Sequence, residues 1–194
     1  NLNGQILQSL DILGFSKMTN VQQIALADAM KDQDLIVQAK TGSGKTAVFG
    51  LGILNKIKPN QKIPQALILC PTRELAAQVA TNLRKFAAMM PNVKILELCG
   101  GSPLRPQAAS LERGADILVA TPGRILDHLG KQTLNLSKIK YFVLDEADKM
   151  LDLGFFEDIE KIGHNAKSRI QTMLFSATFS SNIEKLSSQE VRGV

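Results

Sequence analysis

The chain has 194 residues, of which 44% are apolar and 21% charged, and its mean hydropathy is near zero. That profile fits one globular domain and excludes a disordered tail or a fibrous repeat. Net charge is +5, a balance that suits a polyanionic partner but is also common among ordinary enzymes.

Helical patterning opens the chain at residues 5–13 and 21–30, and a short apolar run at 35–38 reads as the first strand. A helix is expected at 45–58, a strand at 66–70 and a helix at 74–89, where Leu75, Val79, Leu83 and Phe86 keep one apolar face. The alternation continues with strand 93–98, helix 103–112, strand 117–120, helix 124–129, strand 141–144, helix 156–162, strand 172–175 and helix 182–186. The strands are nearly continuous runs of Ile, Leu and Val, as strands buried on both faces are. Together these predict an α/β domain with a mostly parallel sheet and helices on both faces. No apolar run approaches the ~20 residues of a membrane span. Residues 1–10 lack a basic start followed by an apolar core, so neither a membrane partner nor a secretory signal is expected.

Charge and reactive side chains are unevenly placed. Residues 1–97 hold 11 basic and 6 acidic side chains, residues 98–194 hold 12 of each, and seven carboxylates fall between Asp145 and Glu160. Cys70 and Cys99 each end an apolar run and read as reduced structural thiols of a cytoplasmic protein. His128 and His164 have no metal-ligand spacing and read as ordinary helix or loop histidines.

In open parallel sheets, ligands bind at the carboxyl ends of the strands. Each predicted strand here is followed by polar, glycine-rich or charged residues, which points to one functional rim. After the first strand, Ala39, Lys40, Thr41, Gly42, Ser43, Gly44, Lys45 and Thr46 read A-K-T-G-S-G-K-T. Backbone N–H groups of such a loop cradle phosphates, Lys45 can reach the β- and γ-phosphates, and the Thr46 hydroxyl can ligand Mg²⁺. The pattern departs from the usual one at Ala39, where glycine is common. After the fifth strand come Asp145, Glu146, Ala147 and Asp148. Adjacent carboxylates at the end of a buried strand need partners, and a metal is one. That makes Asp145 the candidate Mg²⁺ residue and Glu146 the candidate base. An acidic helix start, favoured by the helix dipole, would account for the same residues taken alone.

These residues carry a resemblance. Asp145 to Asp148 spell the DEAD box, and the chain resembles the first RecA-like domain of a DEAD-box ATP-dependent RNA helicase, with a P-loop NTPase fold over residues 1–194. Gly14, Phe15, Thr19 and Gln22 resemble the Q motif, with Met18 and Asn20 where prolines are common. Pro71 to Ala76 resemble motif Ia, Gly100 and Gly101 the GG motif, Thr121 to Arg124 motif Ib, and Ser176 to Thr178 motif III. Residues 37–52 and 98–103 look most like the bacterial DbpA subfamily.

The resemblance implies ATP and Mg²⁺ as ligands, with Gln22 reading the adenine edge and Phe15 packing on its face. It implies that Ser176 and Thr178 hydrogen-bond Asp148, linking nucleotide state to RNA binding. It places RNA contacts at Thr72, Arg73, Gly100, Gly101, Thr121, Gly123 and Arg124, groups that suit phosphate and ribose rather than base edges. The aromatic content, eight Phe, one Tyr and no Trp, offers no stacking platform. It further implies RNA remodelling, such as ribosome assembly, and a second RecA-like domain that brings arginine fingers and half the RNA site. No His-Arg-x-Gly-Arg stretch occurs in these residues, so the domain alone is expected to turn over poorly. Two rival readings are a GTPase switch, which needs an Asn-Lys-x-Asp stretch that is absent, and a noncatalytic nucleotide-binding platform, against which intact Lys45, Asp145 and Glu146 argue.

Overall fold

A computed structural model describes residues 1–192. In chain order the elements are α1 (Gly4–Ile12), α2 (Asn20–Ala29), β1 (Leu35–Gln38), α3 (Lys45–Leu54), β2 (Ala66–Leu69), α4 (Arg73–Phe86), β3 (Ile95–Leu98) and α5 (Leu104–Glu112). There follow β4 (Ile117–Ala120), α6 (Pro122–Gly130), β5 (Tyr141–Leu144), α7 (Ala147–Asp152), α8 (Phe156–Asn165), β6 (Gln171–Ser176) and α9 (Ser181–Glu190). The six strands form one sheet in the order β1-β6-β5-β2-β4-β3, and every pairing is parallel. All carboxyl ends therefore share one rim, as the expected fold class requires.

Each strand feeds two cores. Ile68, Val119, Val143 and Phe175 point to one face, where Ile6, Val48, Phe49, Leu83 and Phe86 cover them. Leu67, Leu118, Phe142 and Leu174 point to the other, under Ile125, Met150, Ile159 and Ile183. This alternation explains the unbroken apolar runs: a strand covered on both faces has no polar side to show. Phe142 is fully buried, and trimming such a side chain to Ala typically costs about 3–5 kcal/mol. No helix among the described residues is long and apolar enough to cross a membrane.

Element ends differ from expectation where side chains intervene. The helix expected to reach 58 stops at Leu54, because the Gln65 side chain takes the Lys58 N–H at 2.9 Å and donates to its carbonyl at 2.8 Å; Pro59 also disfavours helical backbone at Lys58. The helix expected to reach 89 stops at Phe86, where Ser9 Oγ accepts the Met89 N–H at 3.1 Å. The third strand begins at Ile95 rather than 93 because the Lys94 N–H goes to Asp116 Oδ2 at 2.8 Å. Helix α7 is missing from the expected series of elements, although an acidic helix start is the alternative reading of the residues that open it. It starts directly after Glu146, whose φ of 53° is left-handed, a turn that a non-glycine residue rarely signals.

Candidate active site

Strand order divides the rim. The loops after β1, β6 and β5 carry the glycine loop, Thr178 and the acidic box; those after β2, β4 and β3 carry Thr72, Thr121 and Gly100. A cleft of about 430 Å³ opens over the first half. Leu13, Phe15 and Gln22 line one side, Thr41, Gly42 and Gly44 to Thr46 another, the Leu75, Val79 and Phe86 face of α4 a third, and Asp145 and Glu146 the floor.

The start of α2 is fastened to the glycine loop. Thr19 and Gln22 form a capping box in which Gln22 Oε1 accepts the Thr19 N–H at 2.9 Å. Outward from it, Thr19 Oγ1 donates to Ser43 O at 2.8 Å and Gln22 Nε2 donates to Gly44 O at 3.1 Å. Gly44 has φ 90°, and a Cβ there would stand 2.6 Å from Gln22 Nε2, so only glycine allows this approach. Phe15, 47% exposed at the mouth of the cleft, is held edge-on by Phe86 with ring centroids 5.8 Å apart.

At the floor, Lys45 is nearly buried, with Nζ 3.0 Å from Asp145 Oδ1 and 3.5 Å from Glu146 Oε1. The shorter contact pairs the two charges at hydrogen-bond distance, while the other buried Asp145 oxygen, Oδ2, has no hydrogen-bond partner. Burial raises the Asp145 carboxyl pKa, and the Lys45 charge only partly offsets it. Burial works in the same direction on Glu146. There it is overcome by the Lys149 hydrogen bond, the Lys45 charge and the Thr41 hydrogen bond, so Glu146 titrates below its ordinary value. Thr41 Oγ1 donates to Glu146 Oε1 at 3.0 Å, and Lys149 Nζ stands 2.7 Å from Oε2.

The structure separates several expected site residues from the cleft. Ala39, Lys40 and Ser43 line a second groove, between α2 and β1; the Ala39 N–H is held by Ser176 O at 2.9 Å. Thr178 Oγ1 donates to Asp148 Oδ2 at 3.3 Å, but Ser176 Oγ donates to Thr178 O at 2.7 Å and does not reach Asp148. The expectation that both hydroxyls bond Asp148 is corrected: Ser176 lies on β6, and its side chain closes its own turn.

On the other half of the rim, Thr72 caps α4 by accepting the Leu75 N–H at 3.2 Å, which leaves its hydroxyl hydrogen free. Thr121 caps α6 without a side-chain bond. Gly101, φ 82°, lets exposed Arg73 lie across the Gly100–Gly101 loop, where any Cβ would strike its guanidinium. Gly123 has open space around it. Arg124 is different. Its Nη1 and Nη2 each donate to Ser102 O at 3.0 Å, Nη1 also to Gln107 Oε1 at 3.0 Å, and Nε lies 3.3 Å from an Asp127 carboxylate oxygen. With its side chain only 10% exposed, Arg124 shapes the Gly100–Ser102 loop instead of offering itself to a ligand. His128 belongs to the same network, fully buried, with Nε2 2.9 Å from Gln107 Oε1; burial lowers its pKa. Cys70 and Cys99 are free thiols, each raised in pKa by burial first.

Lys149, Thr41's tie to the acid and the α4 wall went unnoticed in the sequence. Lys149 carried a signal, lying three residues after Glu146 on what proves to be helix α7. The α4 wall carried none, because its residues read as core.

The chain is similar to known proteins along nearly its whole length. The DEAD/DEAH box helicase family matches residues 19–186. ATP-dependent RNA helicase DbpA of Escherichia coli is 50% identical over 186 residues, 96% of this chain and 41% of that protein. DbpA of Bacillus subtilis is 44% identical over 97% of this chain and 39% of its own. Among solved structures, a DEAD box protein from Methanococcus jannaschii superposes with a TM-score of 0.94 at 41% identity, covering 99% of this chain and 52% of that one. The yeast DEAD-box splicing factor Prp28 gives 0.93 at 33% identity, over 98% and 48%. The chain thus spans less than half the length of these curated relatives. With the family matched across most of its residues, this chain belongs to the DEAD/DEAH box helicases.

Proposed function

We propose that the chain is the nucleotide-binding half of an ATP-driven RNA helicase core, with ATP and Mg²⁺ in the cleft and one RNA strand gripped by its backbone along the β2-β4-β3 rim. The observation that carries this reading is the buried charge set of Lys45, Asp145 and Glu146 beneath a glycine loop. Lys149 meets Glu146 from the surface, and the buried Asp145 keeps one oxygen without a partner, so a charged ligand would complete the set.

The residues fit Mg²⁺. Asp145 presents a buried Oδ2 with no hydrogen-bond donor beside the Oδ1 that faces Lys45, and Thr46 lines the same cleft. Among the described residues no three His, Cys, Asp or Glu side chains form a protein cage, which suits a cation that takes its other ligands from phosphate and water. Bound there, Mg²⁺ would neutralise charge on the β- and γ-phosphates. The chain's own groups supply the rest. Loop N–H groups hold the phosphates and Lys45 adds positive charge. Glu146, kept ionised by Lys149 and Thr41, is ready to take a proton from attacking water. Gln22 has used one of two Nε2 protons and one of two Oε1 lone pairs. One donor and one acceptor remain, which matches the N7 and N6–H edge of adenine, whereas the N7 and O6 edge of guanine offers two acceptors.

Thr72, Arg73, Gly100, Gly101, Thr121 and Gly123 offer hydroxyls, a guanidinium and open backbone on adjacent loops, which suits RNA held without base readout. Among the described residues no arginine lines the cleft, and removing an arginine finger from a P-loop enzyme costs ~10³–10⁵ in rate. A second RecA-like domain supplies that arginine and closes on ATP and RNA together. Calorimetry with ADP and GDP, and phosphate release with and without single-stranded RNA, test the reading on this chain and on a protein joining it to such a domain. Preference for ADP, and RNA-stimulated turnover only in the joined protein, are expected. Equal binding of ADP and GDP would overturn the adenine assignment. Full RNA-stimulated turnover by this chain alone would overturn the half-site.

A further inference from the structure

The opposite end of the sheet carries a charge that the catalytic rim does not use. Because every strand is parallel, segments 30–34, 55–65, 87–94, 113–116, 131–140 and 166–170 gather where the strands begin. They hold 11 of the chain's 23 basic side chains and 3 of its 18 acidic ones, a net +8 against +5 for the whole chain. The remainder of the molecule is therefore net acidic.

Ion pairs meet this excess mainly on one side. Near the β1 and β6 starts, Lys31, Lys56, Arg169 and Arg192 each pair with a carboxylate. At the starts of β5, β2, β4 and β3 stand Lys58, Lys62, Lys94, Arg113, Lys138 and Lys140, all exposed. Among the described residues none of these six has a carboxylate in ion-pair reach. The acid in their midst, Asp116, is 1% exposed and turned inward, where it accepts the Lys94 N–H at 2.8 Å and Gln65 Nε2 at 3.4 Å; only Glu112 beside it faces water. Helix ends explain part of the pattern, since α3, α4, α5 and α6 finish here and helix C-termini favour cations. That effect fades within the last turn. It covers Arg113, the C-cap of α5, and leaves the five lysines unexplained.

The surface is also shaped. Lys62, Lys94 and Arg113 line a hollow of about 350 Å³. Three loops meet there in left-handed backbone, at Asn60 (φ 66°), Lys62 (φ 59°), Asn92 (φ 63°) and Gly114 (φ 91°). A Cβ on Gly114 would stand 2.7 Å from Lys62 Cα, so this glycine lets the loop entering β4 press on the loop entering β2 and sets Arg113 beside Lys62. Neighbouring strands lie ~4.8 Å apart, so four strand starts spread the six cations over ~14 Å. These loops contain no Phe, Tyr or Trp, so the surface has no aromatic platform for bases.

We propose that this pole is a second polyphosphate-binding surface, which takes the sugar-phosphate backbone of a part of the RNA other than the strand held at the catalytic rim. The choice of RNA among polyanions rests on the function proposed above. The cations and their spread suit a backbone with successive phosphates, and the lack of an aromatic platform disfavours stacking on bases.

The test follows binding of a labelled RNA hairpin with a single-stranded tail by fluorescence anisotropy between ~50 and ~200 mM salt. Three proteins are compared with the unmodified chain: K62E/K94E/R113E, K58Q/K138Q/K140Q and Arg73→Ala at the rim. Each pole variant is expected to weaken RNA at least tenfold and to lower the log–log salt slope by about two, at ~0.7–0.9 per lost phosphate contact. ADP affinity should be unchanged. The second triple variant leaves the left-handed loops intact and guards against misfolding of the first. Wild-type RNA affinity and slope in both pole variants would overturn the proposal, while a loss in Arg73→Ala would show that the rim reading stands. The reverse result would uphold the pole and remove the rim. Loss of poly-glutamate binding with RNA binding intact would assign the pole to an acidic protein segment and overturn the proposal.

Discussion

Replacing Gln22 with Ala separates two roles that the structure gives one side chain. The amide holds the glycine loop through Nε2 to Gly44 O at 3.1 Å and holds its own helix start through Oε1 to the Thr19 N–H at 2.9 Å. Its remaining donor and acceptor are free for adenine. A neutral hydrogen bond contributes about 1 kcal/mol net. Losing the loop bond should weaken any phosphate-bearing ligand by about 1 kcal/mol, roughly fivefold. Losing two adenine bonds as well should weaken ADP by a further ~2 kcal/mol, a total of about 100-fold or more. Calorimetry with ADP, GDP and pyrophosphate at one salt concentration reads both parts. Pyrophosphate and GDP should fall together by the small factor, and ADP by the large one. If ADP fell no more than pyrophosphate, Gln22 would be a loop clamp only and the adenine assignment would be wrong.

Lys45→Ala should weaken ADP and ATP by roughly tenfold or more in calorimetry, because it removes the cation beneath the phosphates and leaves Asp145 and Glu146 facing each other. Glu146→Gln keeps the size of the side chain and one acceptor oxygen, gives up the charge that pairs with Lys149, and removes nothing that faces the phosphates, so nucleotide affinity should be preserved. In a protein joining this chain to a second RecA-like domain, it should cut the steady-state ATPase by ~10²-fold or more, and an intact rate would show that the base lies elsewhere. Glu146 also makes stability depend on pH. Its folded pKa lies below the ordinary 4.5, so its contribution is present above that value and lost as pH falls through the folded pKa. The melting-temperature difference between wild type and Glu146→Gln should therefore shrink from pH ~7 to pH ~3, and a difference that grew toward acid would reverse the sign of the shift.

How far the sequence could be read follows from what determines each feature. The central strands β2, β4 and β5 were visible because burial on both faces leaves only apolar side chains, the flanking strands kept shorter apolar runs around Gln38, Glu97 and Thr172, and the glycine loop was visible because glycine readily adopts φ values such as the 90° of Gly44. What stayed hidden depends on which partner a side chain finds across the fold. Ser9, far from Met89 in sequence, ends α4, and Gln65 ends α3. Arg124 is the instructive case for the site. Its motif placed it among the RNA contacts, yet two guanidinium nitrogens converge on Ser102 O and one also reaches Gln107. A planar fork can bridge those acceptors, whereas a lysine ammonium can meet only part of them. Arg124→Lys keeps the charge and should lose about two hydrogen bonds that hold the loop bearing Gly100 and Gly101, at roughly 1–3 kcal/mol. If Arg124 acts by shaping that loop, RNA affinity should fall by about 10-fold while the salt slope stays unchanged, because no phosphate contact is lost. If it touches a phosphate directly, Arg124→Lys should keep most of the affinity and Arg124→Gln should lower the slope by about 0.7. Anisotropy titrations of both variants with single-stranded RNA across that salt range decide between them, and a lowered slope in Arg124→Gln would refute the assignment of Arg124 to the loop.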